Sequence, residues 1–91
     1  MITNYTDYCI FCGKRKDDDH HLVFGIANRK LSDEDDLIVP VCRECHEFLH
    51  KHDKVSRIIG QLAYEKQKCA DGFTEEAARE SFRIRYGKSY L

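Results

Sequence analysis

Two short apolar runs in the first half of the chain predict a pair of β-strands. The first covers His20–Phe24 and the second covers Leu37–Val41, and both are rich in β-branched or bulky side chains. Pro40 has no backbone N–H, so it marks the second run as an edge strand or as the point where the strand ends. The residues between the runs, Gly25–Asp36, are polar and rich in turn formers, which predicts a loop.

The second half of the chain has the three- and four-residue spacing of amphipathic helices. One helix follows Cys45, and a longer one is predicted over about Asp53–Cys69. Its apolar stripe consists of Val55, Ile58, Ile59, Leu62 and Ala63. Cys69 follows Leu62 by seven residues on the same face, which predicts a buried apolar residue rather than a ligand.

A final helix is predicted by its end signals. Asp71-Gly72 ends the preceding helix, and Thr74 is a suitable N-cap, with two acidic residues in the first turn. The helix runs to about Tyr86, where Gly87 stops it.

Length and composition restrict the kind of protein. The 91 residues are enough for one domain, with 42% apolar and 34% charged residues and a net charge of −1. The charge balance excludes nucleic-acid binding by bulk positive charge. No apolar run approaches the roughly 18 residues of a membrane span, and the first residues lack the order of a signal peptide. We therefore expect a soluble, cytosolic protein.

Four of the five cysteines form two Cys-x-x-Cys pairs, Cys9/Cys12 and Cys42/Cys45. An odd cysteine count without a secretion signal argues against disulfides, and two such pairs supply the tetrahedral sulfur set that zinc prefers. Gly13 fits a tight turn directly after the first pair. The pattern predicts a structural zinc, which would supply stability that so short a chain cannot obtain from its core alone.

All five histidines lie between positions 20 and 52. His20 and His21 are adjacent at a predicted strand, whereas His46 and His50 are spaced to share one helix face. Imidazole is both a ligand for divalent transition metals and a general base near pH 7, so this group predicts a second metal site. The alternative interpretations are that these are solvated surface histidines, or that one of them replaces a cysteine as a zinc ligand, which the four paired cysteines make unnecessary.

The order of these motifs resembles the HNH endonucleases. The resemblance covers residues 9–50: Cys9-x-x-Cys12, then Asp19-His20-His21-Leu22-Val23, then Leu37-Ile38-Val39-Pro40-Val41-Cys42-Arg43-Glu44-Cys45-His46-x-x-x-His50. The loop Phe24–Lys30 and the end Tyr86–Leu91 are similar to compact HNH-like proteins of phages and prophages. The resemblance implies an α+β fold. It would have a small zinc-stabilised ββα-metal, treble-clef-like core over residues 1–52, and two C-terminal helices over residues 53–91, in one domain 1–91.

The resemblance also implies roles for individual residues. His21 would be the general base, and His20, His46 and His50 would hold a catalytic divalent cation such as Mg²⁺, Mn²⁺, Ni²⁺ or Zn²⁺. The structural Zn²⁺ would be held by Cys9, Cys12, Cys42 and Cys45. A different offset makes Asp19 the ligand and His20 the base; we prefer the first because His21 directly precedes the apolar strand.

One family residue is missing. The asparagine that braces the loop in the family precedes the third cysteine by about five residues, and here Leu37 stands at that spacing. Asp36 is the candidate loop brace, and Asn28 more naturally serves its own turn.

The activity implied by the resemblance is metal-dependent hydrolysis of DNA phosphodiester bonds in the cytoplasm of a bacterial host. DNA, and other phage proteins, are the expected partners. The candidate phosphate contacts are Arg29, Lys30, Lys51, Lys54 and Arg57.

Two other functions fit the same motifs. A catalytically inactive treble-clef zinc module would keep the four cysteines and bind DNA or protein without cutting. A phage inhibitor would use an HNH-like fold to block a host enzyme. The missing asparagine and the weak positive charge favour the zinc module, whereas the histidine group argues against it, because a scaffold does not need those residues.

Overall fold

The protein is a small α+β structure with a two-stranded sheet and four helices, seen in a computed structural model that describes residues 2–91. The elements in chain order are β1 (Asp18–His21), α1 (Ile26–Glu34), β2 (Ile38–Val41), α2 (Arg43–Lys51), α3 (Asp53–Ala70) and α4 (Glu75–Tyr86). Within this described part of the chain, no helix has the length and apolar character needed to traverse a bilayer.

The two strands form an antiparallel pair in which His20 lies opposite Val39 and His21 lies opposite Ile38. β1 starts two residues earlier and ends three residues earlier than predicted, so the bounds His20–Phe24 were wrong. Leu22 and Val23 follow the strand and are completely buried. Both side chains belong to the hydrophobic core. A buried apolar pair directly after a strand has the same sequence pattern as a continuation of that strand, so the predicted strand was too long.

The segment predicted as a loop is mostly helix α1, so this prediction was wrong. Residues such as Ser32 and Asp33 favour turns in isolation, but here they occupy helical positions on a short surface helix. The Ser32 side chain is the fully buried one, and its hydroxyl donates to the carbonyl of Val23 at 2.6 Å. Leu31 packs against the core beside it. These anchors hold α1 against the end of β1.

The buried face of α3 overlaps the predicted apolar stripe only in part, because Ile59 and Ala63 pack against the core. Its buried residues are Ser56, Gly60, Gln61, Tyr64 and Glu65. Val55 and Leu62 from the predicted stripe are exposed, and so is Cys69, which corrects the prediction that its thiol is buried.

The reason for this shift is a close crossing at Gly60. A Cβ atom there would lie 2.7 Å from Cγ2 of Val23 and 3.0 Å from Cβ of Leu22. α3 therefore approaches the core closely at Gly60, and Val55 and Leu62 of the predicted stripe point outward.

The last helix matches its predicted end signals. Thr74 accepts a hydrogen bond from the backbone N–H of Ala77 at 3.1 Å, and Gly87 adopts a left-handed conformation with φ of 86°. Phe82 and Tyr86 of α4 pack on Tyr64 of α3, which joins the two C-terminal helices to the core.

Candidate metal centres

The four paired cysteines come together at one end of the sheet. Their sulfur atoms all lie within 4.8 Å of one another, and the Sγ atoms of Cys12 and Cys42 are 3.5 Å apart. Four sulfurs at 2.3 Å from one zinc ion are separated by about 3.8 Å in a tetrahedron. All four thiols are free of disulfides. The residues present therefore fit a structural zinc ion.

The two Cys-x-x-Cys pairs reach this position by different means. The first lies in a tight loop bracketed by an antiparallel bridge between Tyr8 and Arg15. Within the loop, the N–H of Gly13 donates to the carbonyl of Cys9 at 3.0 Å, and Gly13 has φ of 77°. The second pair spans the start of α2, with Cys42 as its N-cap residue.

The backbone around Cys9 favours its ionised form. Burial opposes ionisation of this thiol, but backbone N–H groups of Cys42, Cys12 and Phe11 outweigh it and lower the pKa of Cys9 to about 6. Burial, reinforced by the neighbouring thiols, raises the pKa of Cys45. Thiolate is the form that binds metal, and the N–H groups directed at Cys9 are suited to hold it.

The second cluster consists of three imidazoles, His20 from β1 and His46 and His50 from α2. One ring nitrogen from each lies within 4.8 Å of the others, and the Nε2 atoms of His46 and His50 are 3.1 Å apart. The His20 ring packs edge-on against both of the others. The structure thus brings together the three histidines that the sequence grouped, in an arrangement that could hold a metal ion.

Hydrogen bonds fix which nitrogen of His20 is free. The hydroxyl of Ser56 donates its only proton to the carbonyl of Leu22 at 2.7 Å. It must therefore accept from Nε2–H of His20, which lies 2.8 Å away. The lone pair of the neutral ring is then on Nδ1, where it is available to a cation.

His46 is oriented by a carboxylate. Its Nδ1 lies 3.1 Å from Oδ2 of Asp18, an acceptor that places the proton on Nδ1 and the lone pair on Nε2. A carboxylate behind a histidine is the usual arrangement at protein metal sites, because it fixes the tautomer and the ring orientation.

His20 is held in its neutral form. It is 2% exposed, and burial, together with the nearby His46 and His50, lowers its pKa to about 4. The ligand form of histidine is the neutral one, so this ring is ready to bind a cation at neutral pH.

His21 lies next to the cluster in sequence but makes a separate contact. Its Nε2 is 2.7 Å from Oδ1 of Asp33 on α1. The carboxylate can only accept, so the neutral His21 ring carries its proton on Nε2 and its lone pair on Nδ1.

Sequence reasoning missed Asp33, because it depends on α1 being a helix. Asp36, the predicted brace, is exposed at the end of α1 with φ of 56°, and its bracing role stays a prediction. The signal that could have found Asp33 is the helical spacing of residues 26–34, which puts it on the same helix face as Ile26, Arg29 and Lys30.

The predicted phosphate contacts differ in their surroundings. Arg29, Lys30, Lys51 and Lys54 are exposed on the surface. The guanidinium of Arg57 instead donates to Asp53 at 2.6 Å and lies 4.4 Å above the ring of Phe24. That ring packs against His20 and His50, so Arg57 supports the wall of the histidine cluster.

Comparison with known proteins gives a family match. A family model described as a protein of unknown function (DUF968) matches residues 4–57, the segment that contains both clusters. No curated protein and no solved structure matches the chain.

Proposed function

This chain belongs to the DUF968 family of proteins of unknown function, and we propose that it is a metal-dependent DNA endonuclease with an HNH-like ββα-metal core. The observation that carries the proposal is the histidine cluster on β1 and α2. The hydrogen bonds of His20 and His46 to Ser56 and Asp18 leave the His20 lone pair on Nδ1, and they direct the His46 lone pair at Nε2 of His50, 3.1 Å away within the cluster. A zinc scaffold needs only the four cysteines, so this second cluster supports a function beyond stability.

In the proposed mechanism, His20, His46 and His50 hold a divalent cation. When bound, the cation supplies Lewis-acid stabilisation of the phosphate charge and of the leaving 3′ oxygen. Ser56 and Asp18 keep the rings of His20 and His46 in the ligand tautomer.

His21 supplies the base. Its Nδ1 lone pair takes a proton from water while the water oxygen forms a bond to phosphorus and the bond from phosphorus to the 3′ oxygen breaks. Asp33 holds the opposite nitrogen and stabilises the imidazolium that forms. The base is thus separate from the proposed ligands, although it neighbours His20 in sequence.

A plasmid-cleavage assay tests the proposal. We expect conversion of supercoiled to nicked or linear DNA with Mg²⁺ or Mn²⁺ and none with EDTA. Protein that carries metal in both clusters but leaves the plasmid intact under all these conditions would contradict it. Such a result would favour a zinc-binding module that binds DNA or a protein partner without cutting it, including an inhibitor of a host enzyme.

Substitution of Asp33 tests its positioning of the base. We expect Asp33→Ala to lower kcat about 10- to 100-fold, the usual cost of losing a partner that orients a functional histidine, with KM nearly unchanged. Asp33→Asn keeps an oxygen that can accept from Nε2–H but lacks the charge that stabilises the imidazolium, so its kcat should stay well below that of the wild type.

Steady-state cleavage kinetics of both variants, with ¹⁵N NMR of the His21 ring, give the measurement. The NMR spectrum of Asp33→Ala should show a mixture of neutral tautomers, which a purely structural role of Asp33 would not produce. An alanine variant with wild-type kcat and an unchanged tautomer would overturn the assignment.

A further inference from the structure

One face of α1 is directed toward the base. Ile26, Arg29, Lys30 and Asp33 follow the helical spacing of three, four and seven residues, so they share a face. Asp33 contacts His21 through its side chain, which places this face on the His21 side of the helix.

Two cations on this face lack acidic partners. Helical spacing favours the pairs Arg29–Asp33 and Lys30–Glu34. Asp33 is instead engaged by His21 at 2.7 Å, and Glu34 accepts from Arg85 at 2.9 Å. Arg29 and Lys30 therefore have no ion pair within residues 2–91. Six of the other thirteen basic side chains have one: Lys14, Lys16, Arg57, Arg79, Arg83 and Arg85.

The first residue of α1 is an exposed apolar side chain. Ile26 has a relative exposure of 104%, the highest among the large hydrophobic residues that are exposed. It follows Gly25, whose φ of 116° allows the sharp entry into the helix. Ile26 contributes no burial to the fold, and a β-branched residue is not a strong helix former. Its side chain is free to contact a partner.

The distance between Ile26 and Asp33 along the axis of α1 can be compared with the rise of DNA. Ile26 precedes Asp33 by seven residues, which corresponds to about 10 Å along a helix axis. DNA rises about 3.4 Å per base pair, so this length spans about three base pairs when the helix lies along the duplex.

We propose that this face of α1 binds DNA beside the site, with Arg29 and Lys30 on backbone phosphates and Ile26 as an apolar wedge at a base step. The inference rests on the proposed nuclease function and adds a substrate class to it. Apolar side chains that enter the minor groove partly unstack a step, and the cost is lowest at flexible steps and mismatches. The preferred substrate is therefore duplex DNA that unstacks readily about three base pairs from the cleaved bond.

Binding measurements on the metal-loaded His21→Ala protein test the phosphate contacts without interference from cleavage. Fluorescence anisotropy with a short duplex is repeated at several salt concentrations. Arg29→Ala and Lys30→Ala, each added to this background, should weaken binding and reduce the slope of log K against log salt by about one unit each. Lys66→Ala, an exposed lysine on α3, should leave the slope unchanged. Slopes that stay equal in all variants would overturn the phosphate contacts.

The wedge is tested with 2-aminopurine placed at successive positions of the duplex. We expect a rise in fluorescence on binding at a step about three base pairs from the cut site, and loss of that rise in Ile26→Ala. Leu62→Ala, an exposed apolar residue on α3, is the matched control and should keep it. In the cleavage-competent protein, a mismatch at the step should increase the rate several-fold, and Ile26→Ala should abolish this gain.

The outcomes separate the two proposals. DNA binding with these signatures but without cleavage would retain the α1 surface and remove the nuclease function. Cleavage that is insensitive to Arg29, Lys30 and Ile26 would retain the nuclease and overturn the α1 surface. Absence of any DNA binding would overturn both.

Discussion

Replacement of Cys12 by alanine is expected to leave the chain largely unfolded at neutral pH. Cys12 is exposed, so its loss opens no cavity in the core and acts only through the sulfur cluster. A structural zinc contributes on the order of 10 kcal/mol, which is comparable with the whole stability of a small domain. Far-ultraviolet circular dichroism during thermal unfolding gives the measurement, and a strong chelator should have the same effect on the wild-type protein.

Cys69→Ala is the matched control for this experiment. Cys69 is also exposed and lies outside the cluster, so its thermal unfolding should match that of the wild type. A Cys12→Ala protein that melts at the wild-type temperature would contradict a structural role for the sulfur cluster.

Replacement of His21 by alanine is expected to lower the cleavage rate by about 10²- to 10⁴-fold, the usual contribution of a general base. The fold and both metal sites should remain, because His21 contacts Asp33 on the surface and is not part of either cluster. Single-turnover cleavage at saturating metal gives the rate, and the metal content of the same sample shows whether the sites are intact.

His52→Ala is the control for His21. This exposed histidine packs on Phe48 at the end of α2, outside the histidine cluster, and should cleave at the wild-type rate. Equal rates for His21→Ala and the wild type would remove His21 from the mechanism.

The features that sequence predicted best depend on neighbouring residues. Thr74 and Gly87 form hydrogen bonds with the free backbone groups at the two ends of the last helix. These two residues were therefore sufficient to predict where the helix begins and ends. The spacing of His46 and His50 on one helix turn likewise needed no knowledge of the rest of the fold.

The features that sequence missed depend on how distant segments pack. Which face of α3 is buried is decided by the absence of a side chain at Gly60, where Leu22 and Val23 approach. The predicted stripe was chosen by hydrophobicity alone. It therefore included Val55 and Leu62, which are exposed in the structure.

The same limit applies to the site. The three clustered histidines could be grouped by residue type and spacing, but their tautomers could not. The tautomer of His20 is set by its hydrogen bond to Ser56, 36 residues away. The tautomer of His21 is set by Asp33, which lies on a helix that was predicted as a loop. These hydrogen-bond partners could not be predicted from the sequence, because only the tertiary packing brings them beside the imidazole rings.

A structural zinc together with a catalytic cation requires two separate sites in this chain, one of sulfur and one of imidazole. Native mass spectrometry after equilibration with excess zinc counts the ions bound to each folded chain. We predict two ions for the wild type and one for the double variant His46→Ala, His50→Ala, with the fold retained in both. A single ion in the wild type and in the double variant would contradict the account.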